Sequence, residues 1–138
     1  MYDKGLGVAQ DSKLAVEWYR KAAEQGNDAG QTNLGTAYGQ GIGVPQDFRE
    51  AAKWLLKAAE QGDTLAQIKL GLAYSEGRGV PQDYVEAHKW VNLAVASSNG
   101  EEAISYTKQR DHIAESMTSQ QIADAQQLAR EWQPKKRK

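Results

Sequence analysis

Five sets of residues have types that could do chemistry. Gly39, Gly41 and Gly43 have the glycine density of a phosphate loop. A dinucleotide fingerprint needs a strand before it, a helix directly after it and a third glycine at the proper distance. Here a helical pattern precedes and Pro45 follows, so the glycines read as a turn. His88 and His112 are the only histidines, and neither has a second histidine or a cysteine nearby to complete a metal set, so both read as surface or lightly packed. Asp47/Glu50 and Asp83/Glu86 are spaced like acid–base pairs, but Asp-x-x-Glu at a helix start is a capping box. No serine or threonine has a base at motif spacing. Lys135 to Lys138 read as a frayed, solvated basic tail, 133–138, rather than a phosphate or lipid contact. With no cysteine, disulfides and thiolate metal sites are excluded. No catalysis and no cofactor are expected.

What remains is a surface that could hold a partner. Leu65, Ile68 and Leu72 form a stripe at i, i+3, i+7 of one predicted helix, apart from its core positions. Thirty-six residues earlier the same places hold Ala29, Thr32 and Thr36. The architecture therefore does not require apolar side chains there. The stripe either lies open as a groove for an apolar peptide, or is buried by an atypical terminal helix whose register is shifted. Thr32 and Thr36 add hydroxyls to such a groove, and Asn33 and Gln40 add amides if their helix phase turns them inward.

These positions are placed by a repeat. Gly41-Ile-Gly43-Val44-Pro45-Gln46-Asp47 returns as Gly77-Arg-Gly79-Val80-Pro81-Gln82-Asp83. A weaker copy with Ala9 in place of proline begins at Gly5. Trp18, Trp54 and Trp90 keep the same step, as do Tyr2, Tyr38 and Tyr74. A period of this size marks a solenoid of helical units that bury their faces against neighbours.

In chain order, residues 1–10 read as a helix end and a glycine loop, and Asp11 as the N-cap of a helix reaching Glu24. Helices follow at about 28–38, 47–61, 64–75 and from Asp83, the last longer than its relatives. Gly35 and Gly71 sit inside helices, where glycine costs roughly 1 kcal/mol relative to alanine, so they mark close helix approach. After Gly100 the motif decays. A stripe from Ala103 to Met117, a capping box at Thr118/Gln121 and a last amphipathic helix form the C-terminal cap. The organisation is one domain, 1–132: a partial repeat 1–26, repeats 27–62 and 63–98, and cap helices 99–132. The chain opens in mid-repeat, so it is either a fragment or begins with a half-repeat. Trp18 and its neighbours should then lack cover, and weak self-association through that edge, or a mobile first helix, is expected.

At Leu34-Gly-x-Ala-Tyr38, Gly41-x-Gly-Val-Pro-Gln-Asp47, Ala51-x-x-Trp54 and Ala58-Ala-Glu-Gln-Gly62, the chain resembles the Sel-1-like repeat family, relatives of the tetratricopeptide repeats. The resemblance implies an all-α, right-handed superhelix of antiparallel helix pairs. The Leu-Gly-x-x-Tyr helices would line the concave side and the Trp helices the outer layer. It also implies a bacterial adaptor or scaffold that binds a protein or peptide. One branch of the family carries a disulfide in each repeat and is connected with β-lactams; this chain has no cysteine and departs from it. A hydrolase acting on cell-wall or β-lactam-like substrates is the alternative to the adaptor. The expected groove residues are Thr32, Asn33, Thr36, Gln40, Leu65, Ile68 and Leu72. A net charge of −1 gives no reason to expect nucleic acid, and no apolar run approaches a membrane span. A soluble protein of the bacterial cytoplasm or periplasm is expected.

Overall fold

The computed structural model describes residues 4–135. Seven helices follow one another: α1 Lys4–Glu24, α2 Asp28–Gln40, α3 Phe48–Glu60, α4 Thr64–Glu76, α5 Tyr84–Ser97, α6 Gly100–Ala114 and α7 Ser119–Glu131. No strand occurs among the described residues. From α1 to α6 each helix packs on the next, and α7 folds back onto α5. The all-α solenoid expected from the period is the architecture found.

The repeated loop acts through its separate residues. Gly41 and Gly77 take the left-handed conformation, φ +68° in both, and end α2 and α4. Pro45 and Pro81 keep the residue before them extended. Asp47 and Asp83 then cap α3 and α5, accepting the Glu50 and Glu86 N–H groups at 3.1 Å. The reciprocal half of the expected capping boxes does not form. The Asp47 N–H donates to the Tyr38 carbonyl (2.9 Å) and the Asp83 N–H to that of Tyr74 (3.0 Å), so neither is free for the glutamate. Glu50 and Glu86 pair instead with Lys53 and Lys89. The Thr118/Gln121 box is complete.

The helices touch at three repeated places, the first within a unit and the other two between successive units. An alanine methyl at Gly35 would meet Leu55 Cγ at 2.8 Å, and one at Gly71 would meet Val91 Cγ2 at 2.6 Å, so the close approach read from these glycines holds. Buried Gln31 and Gln67 donate to the Ala23 and Ala59 carbonyls, both at 3.2 Å, and so satisfy the ends of α1 and α3. Gly43 and Gly79 lie against the backbone of Ser12 and Phe48 in the preceding unit. Trp54 packs on Val16, Ala23, Leu34 and Ala37, whereas Trp90 packs on Leu55, Ala58, Ala59 and Leu70. Each tryptophan thus joins its own unit to the one before it.

Four expectations need correction. Asp11 is not an N-cap: it lies inside α1, which runs without a break from Lys4. Ala9 stands where the later copies have a proline, so nothing there forbids helical backbone. Tyr2 lies outside the described residues. The register of α6 is not shifted, because α2, α4 and α6 begin at Asp28, Thr64 and Gly100, a constant step. Only its side chains depart, with Thr107 at the place of Gly35 and Gly71, and Arg110 at that of Tyr38 and Tyr74. The tail is not free at its start. The Lys135 N–H donates to the Glu60 carbonyl (2.7 Å), its Nζ lies 3.0 Å from the Glu60 carboxylate, and Trp132 meets Trp90 edge-on at 6.1 Å. Lys136–Lys138 lie outside the described residues. His88 is not lightly packed; it is buried on α5.

Candidate functional site

Two clefts lie along the row of α2, α4 and α6. The first, about 210 Å³, opens between α2 and α4. Thr36 and Gln40 form one wall, Lys69, Leu72 and Glu76 the other, and Ala51 and Leu55 of α3 the floor. Phe48 and Arg78 stand at its lip, with the guanidinium 5.3 Å from the ring centroid. The second, about 410 Å³, opens between α4 and α6, where Leu72 and Glu76 face Lys108 and His112 above Tyr84. The clefts share Leu72 and Glu76, so they adjoin. They are successive copies of one cleft, because Thr36, Leu72 and Lys108 keep the repeat step, as do Gln40, Glu76 and His112, and Phe48 and Tyr84.

Of the seven residues expected in a groove, Thr36, Gln40 and Leu72 come together in the first cleft. Asn33 and Leu65 are exposed and line neither cleft. Thr32 and Ile68 are corrected to core residues, at 3% and 4% exposure. Ile68 packs with Val91 and with Ile113 of α6, so the cap covers this part of the stripe and leaves Leu72 open. Both earlier copies of the position are buried, and each has a further helix of this row beyond it. Ile104 is its third copy, at the end of the row, and is 58% exposed. Reading the stripe by hydrophobicity alone missed Lys69, Arg78 and Lys108. The signal for Lys69 was available, because Asn33 and Ser105 at the same repeat position show that the fold does not demand a lysine there.

The groups whose proton affinity departs from the ordinary line neither cleft. Asp63, the N-cap of α4, accepts the Ala66 N–H (2.9 Å). Burial, with the carboxyl of Asp28 beside it, pushes its pKa above the usual value near 3.8. Burial, with Arg110 beside it, lowers the pKa of His88 and keeps the ring neutral. No group of histidine, aspartate and glutamate among the described residues could hold a metal.

Asp63 gives a pH-dependent prediction. Its pKa is raised on folding, so the unfolded chain loses the proton first and the folded state loses stability as pH rises through the carboxyl range. Asparagine keeps the capping oxygen, as Asn27 does at the same repeat position. Asp63→Asn should therefore raise the melting temperature at pH 7 and lose that advantage below the ordinary carboxyl pKa. Thermal unfolding of both proteins across this pH range checks it.

A row of stacked helix pairs carrying one cleft per junction defines a helical-repeat protein. The model of the Sel1 repeat matches residues 1–27, 28–63 and 64–99, and the chain belongs to that family. Among solved structures it is similar to c5321, described as a protective antigen present in uropathogenic Escherichia coli strains and displaying an SLR fold. Identity is 42% and the TM-score 0.81, over 87% of this chain and 25% of that one. It is also similar to a Sel1 repeat protein from Oxalobacter formigenes, at 42% identity and TM-score 0.61, over 62% of this chain and 66% of the other. The chain spans a quarter of the length of c5321. No curated protein matches it. Sel1 repeat proteins generally act in protein–protein interaction and are typically non-catalytic. No helix among the described residues is long and apolar enough to cross a membrane.

Proposed function

We propose that residues 1–132 act as one protein-interaction module of a bacterial adaptor or scaffold, which holds a segment of another protein in the paired clefts along α2, α4 and α6. The observation that carries this reading is Leu72, an apolar side chain in the wall of both clefts, at a repeat position that holds threonine one unit earlier. Thr36 and Gln40 supply polar contacts beside it. The module is not an enzyme: its titration-shifted groups stand away from the clefts, and the cleft floor is alanine and leucine. Its partner is a protein or peptide, not nucleic acid, and it works in the cytoplasm or periplasm. Exposed Leu14 and Trp18 support a second, weak contact between copies at the N-terminal edge.

Leu72→Glu places a charge in both cleft walls while leaving the buried core untouched. It should abolish capture of the partner from lysate of the source cells with helical content unchanged. Leu128→Glu, on exposed α7, should capture like wild type. Capture at wild-type level by a folded Leu72→Glu protein would move the binding surface elsewhere.

A further inference from the structure

We propose that the clefts select an acidic, extended segment whose aliphatic side chains recur every third residue. This rests on the reading of the clefts as the binding surface and adds the chemistry of the partner. Lys69, Arg78 and Lys108 line the clefts, against the single carboxylate of Glu76. Arg78 lies 3.9 Å from Glu76, whereas neither Lys69 nor Lys108 pairs with an acid among the described residues. Lys53, Lys89 and Lys135 all pair with glutamates elsewhere. The whole chain carries a net charge of −1, whereas the two clefts together hold three cations against one carboxylate. Local charge of this kind chooses and steers a partner of opposite sign.

The repeat shows that the fold does not call for these cations. The place of Lys69 is Asn33 one unit earlier, and that of Lys108 is Leu72 and then Thr36. Spacing sets the form of the segment. The clefts lie on either side of the one helix α4, and a helix with its side chains is about 10–12 Å across. A polyproline II segment presents the same face every three residues, about 9 Å along its axis. An apolar cavity of about 150 Å³ accepts benzene, so the first cleft, about 210 Å³, has room for a leucine side chain. Acidic side chains between two such anchors would reach Lys69 and Lys108.

The test uses a fluorescein-labelled, capped peptide of sequence Asp-Leu-Pro-Asp-Leu-Pro-Asp, its counterpart with lysine at every aspartate, and a single-stranded oligothymidylate, followed by anisotropy on the whole chain. The acidic peptide should bind, and added salt should weaken it. The Lys69→Glu/Lys108→Glu protein, shown to be folded by circular dichroism, should bind it about tenfold more weakly. Leu72→Glu should remove binding. Equal binding of the lysine peptide, still dependent on Leu72, would overturn the acidic preference and leave the cleft reading standing. Tighter binding of the oligonucleotide would overturn the proposal in favour of nucleic acid. Failure of the acidic peptide to bind at about 1 mM, an affinity of only about −4 kcal/mol, would overturn it too, while the capture experiment decides the cleft reading separately.

Discussion

Replacing Gly79 with alanine should destabilise the protein by about 3–5 kcal/mol, a large part of the 5–15 kcal/mol that a domain commonly has. Two costs combine. Gly79 has φ +79°, where an L side chain is strained by about 1–3 kcal/mol. Its added methyl would also overlap the backbone carbonyl of Phe48 in the preceding unit, and overpacking costs a further 1–3 kcal/mol or so. Backbone cannot swing aside as the tip of a side chain can, so the two units would have to separate. Gly77 is the internal comparison. It has a similar φ of +68°, but its added methyl would meet only Gln82, at 3.3 Å from Cβ and at ordinary contact distance from the backbone. Gly77→Ala should therefore cost about 1–2 kcal/mol, the left-handed penalty alone. Urea denaturation of the two variants separates strain from contact. Equal losses would show that the Gly79–Phe48 contact does not join the units. The contact also bears on the site, because it sets Arg78 over Phe48 at the lip of the first cleft.

The second large effect is at the tryptophans. Trp54→Ala should cost about 3–5 kcal/mol by opening a cavity between α1, α2 and α3. Trp18 occupies the same repeat position yet is 62% exposed, against 6% for Trp54 and 2% for Trp90. Trp18→Ala should cost less than about 1 kcal/mol, as surface substitutions do. The indole N–H of Trp54 has no hydrogen-bond partner within the protein. Trp54→Phe, which removes that unsatisfied donor, should thus cost much less than Trp54→Ala. A loss below about 1 kcal/mol for Trp54→Ala in urea would mean that the repeat does not place Trp54 in the core.

The period carried most of the fold because a solenoid uses the same contacts at each junction. Gly35 and Gly71, Trp54 and Trp90, and the capping aspartates were all legible from their recurrence. Two features were hidden for opposite reasons. At Ala9 the motif survives without its proline, so the sequence resembles a loop where the backbone is helical. At Gly100 the motif is gone, yet the helix keeps its place. The side chains at its repeat positions differ in surroundings as well as type: Thr32 and Ile68 are buried, whereas Ile104 is exposed. The step from Asn27 to Asp63 to Asn99 recorded the register throughout. The groove was legible only in part, because apolar character does not tell a core stripe from a binding stripe. Ile68 and Leu72 lie four residues apart on one helix, but Ile68 turns toward Val91 and Ile113 whereas Leu72 opens onto both clefts. Helix phase relative to a neighbour whose motif had vanished decided between them.

The claim that the clefts along α2, α4 and α6 bind the partner is tested most directly by photo-cross-linking. Benzoylphenylalanine would replace Leu72 in one protein and Leu128 in another, and each would be irradiated in lysate of the source cells. From position 72 we predict a discrete adduct that excess wild-type protein competes away, and from position 128 none. A competed adduct from 128 with none from 72 would contradict the account and place the partner on the cap's outer face.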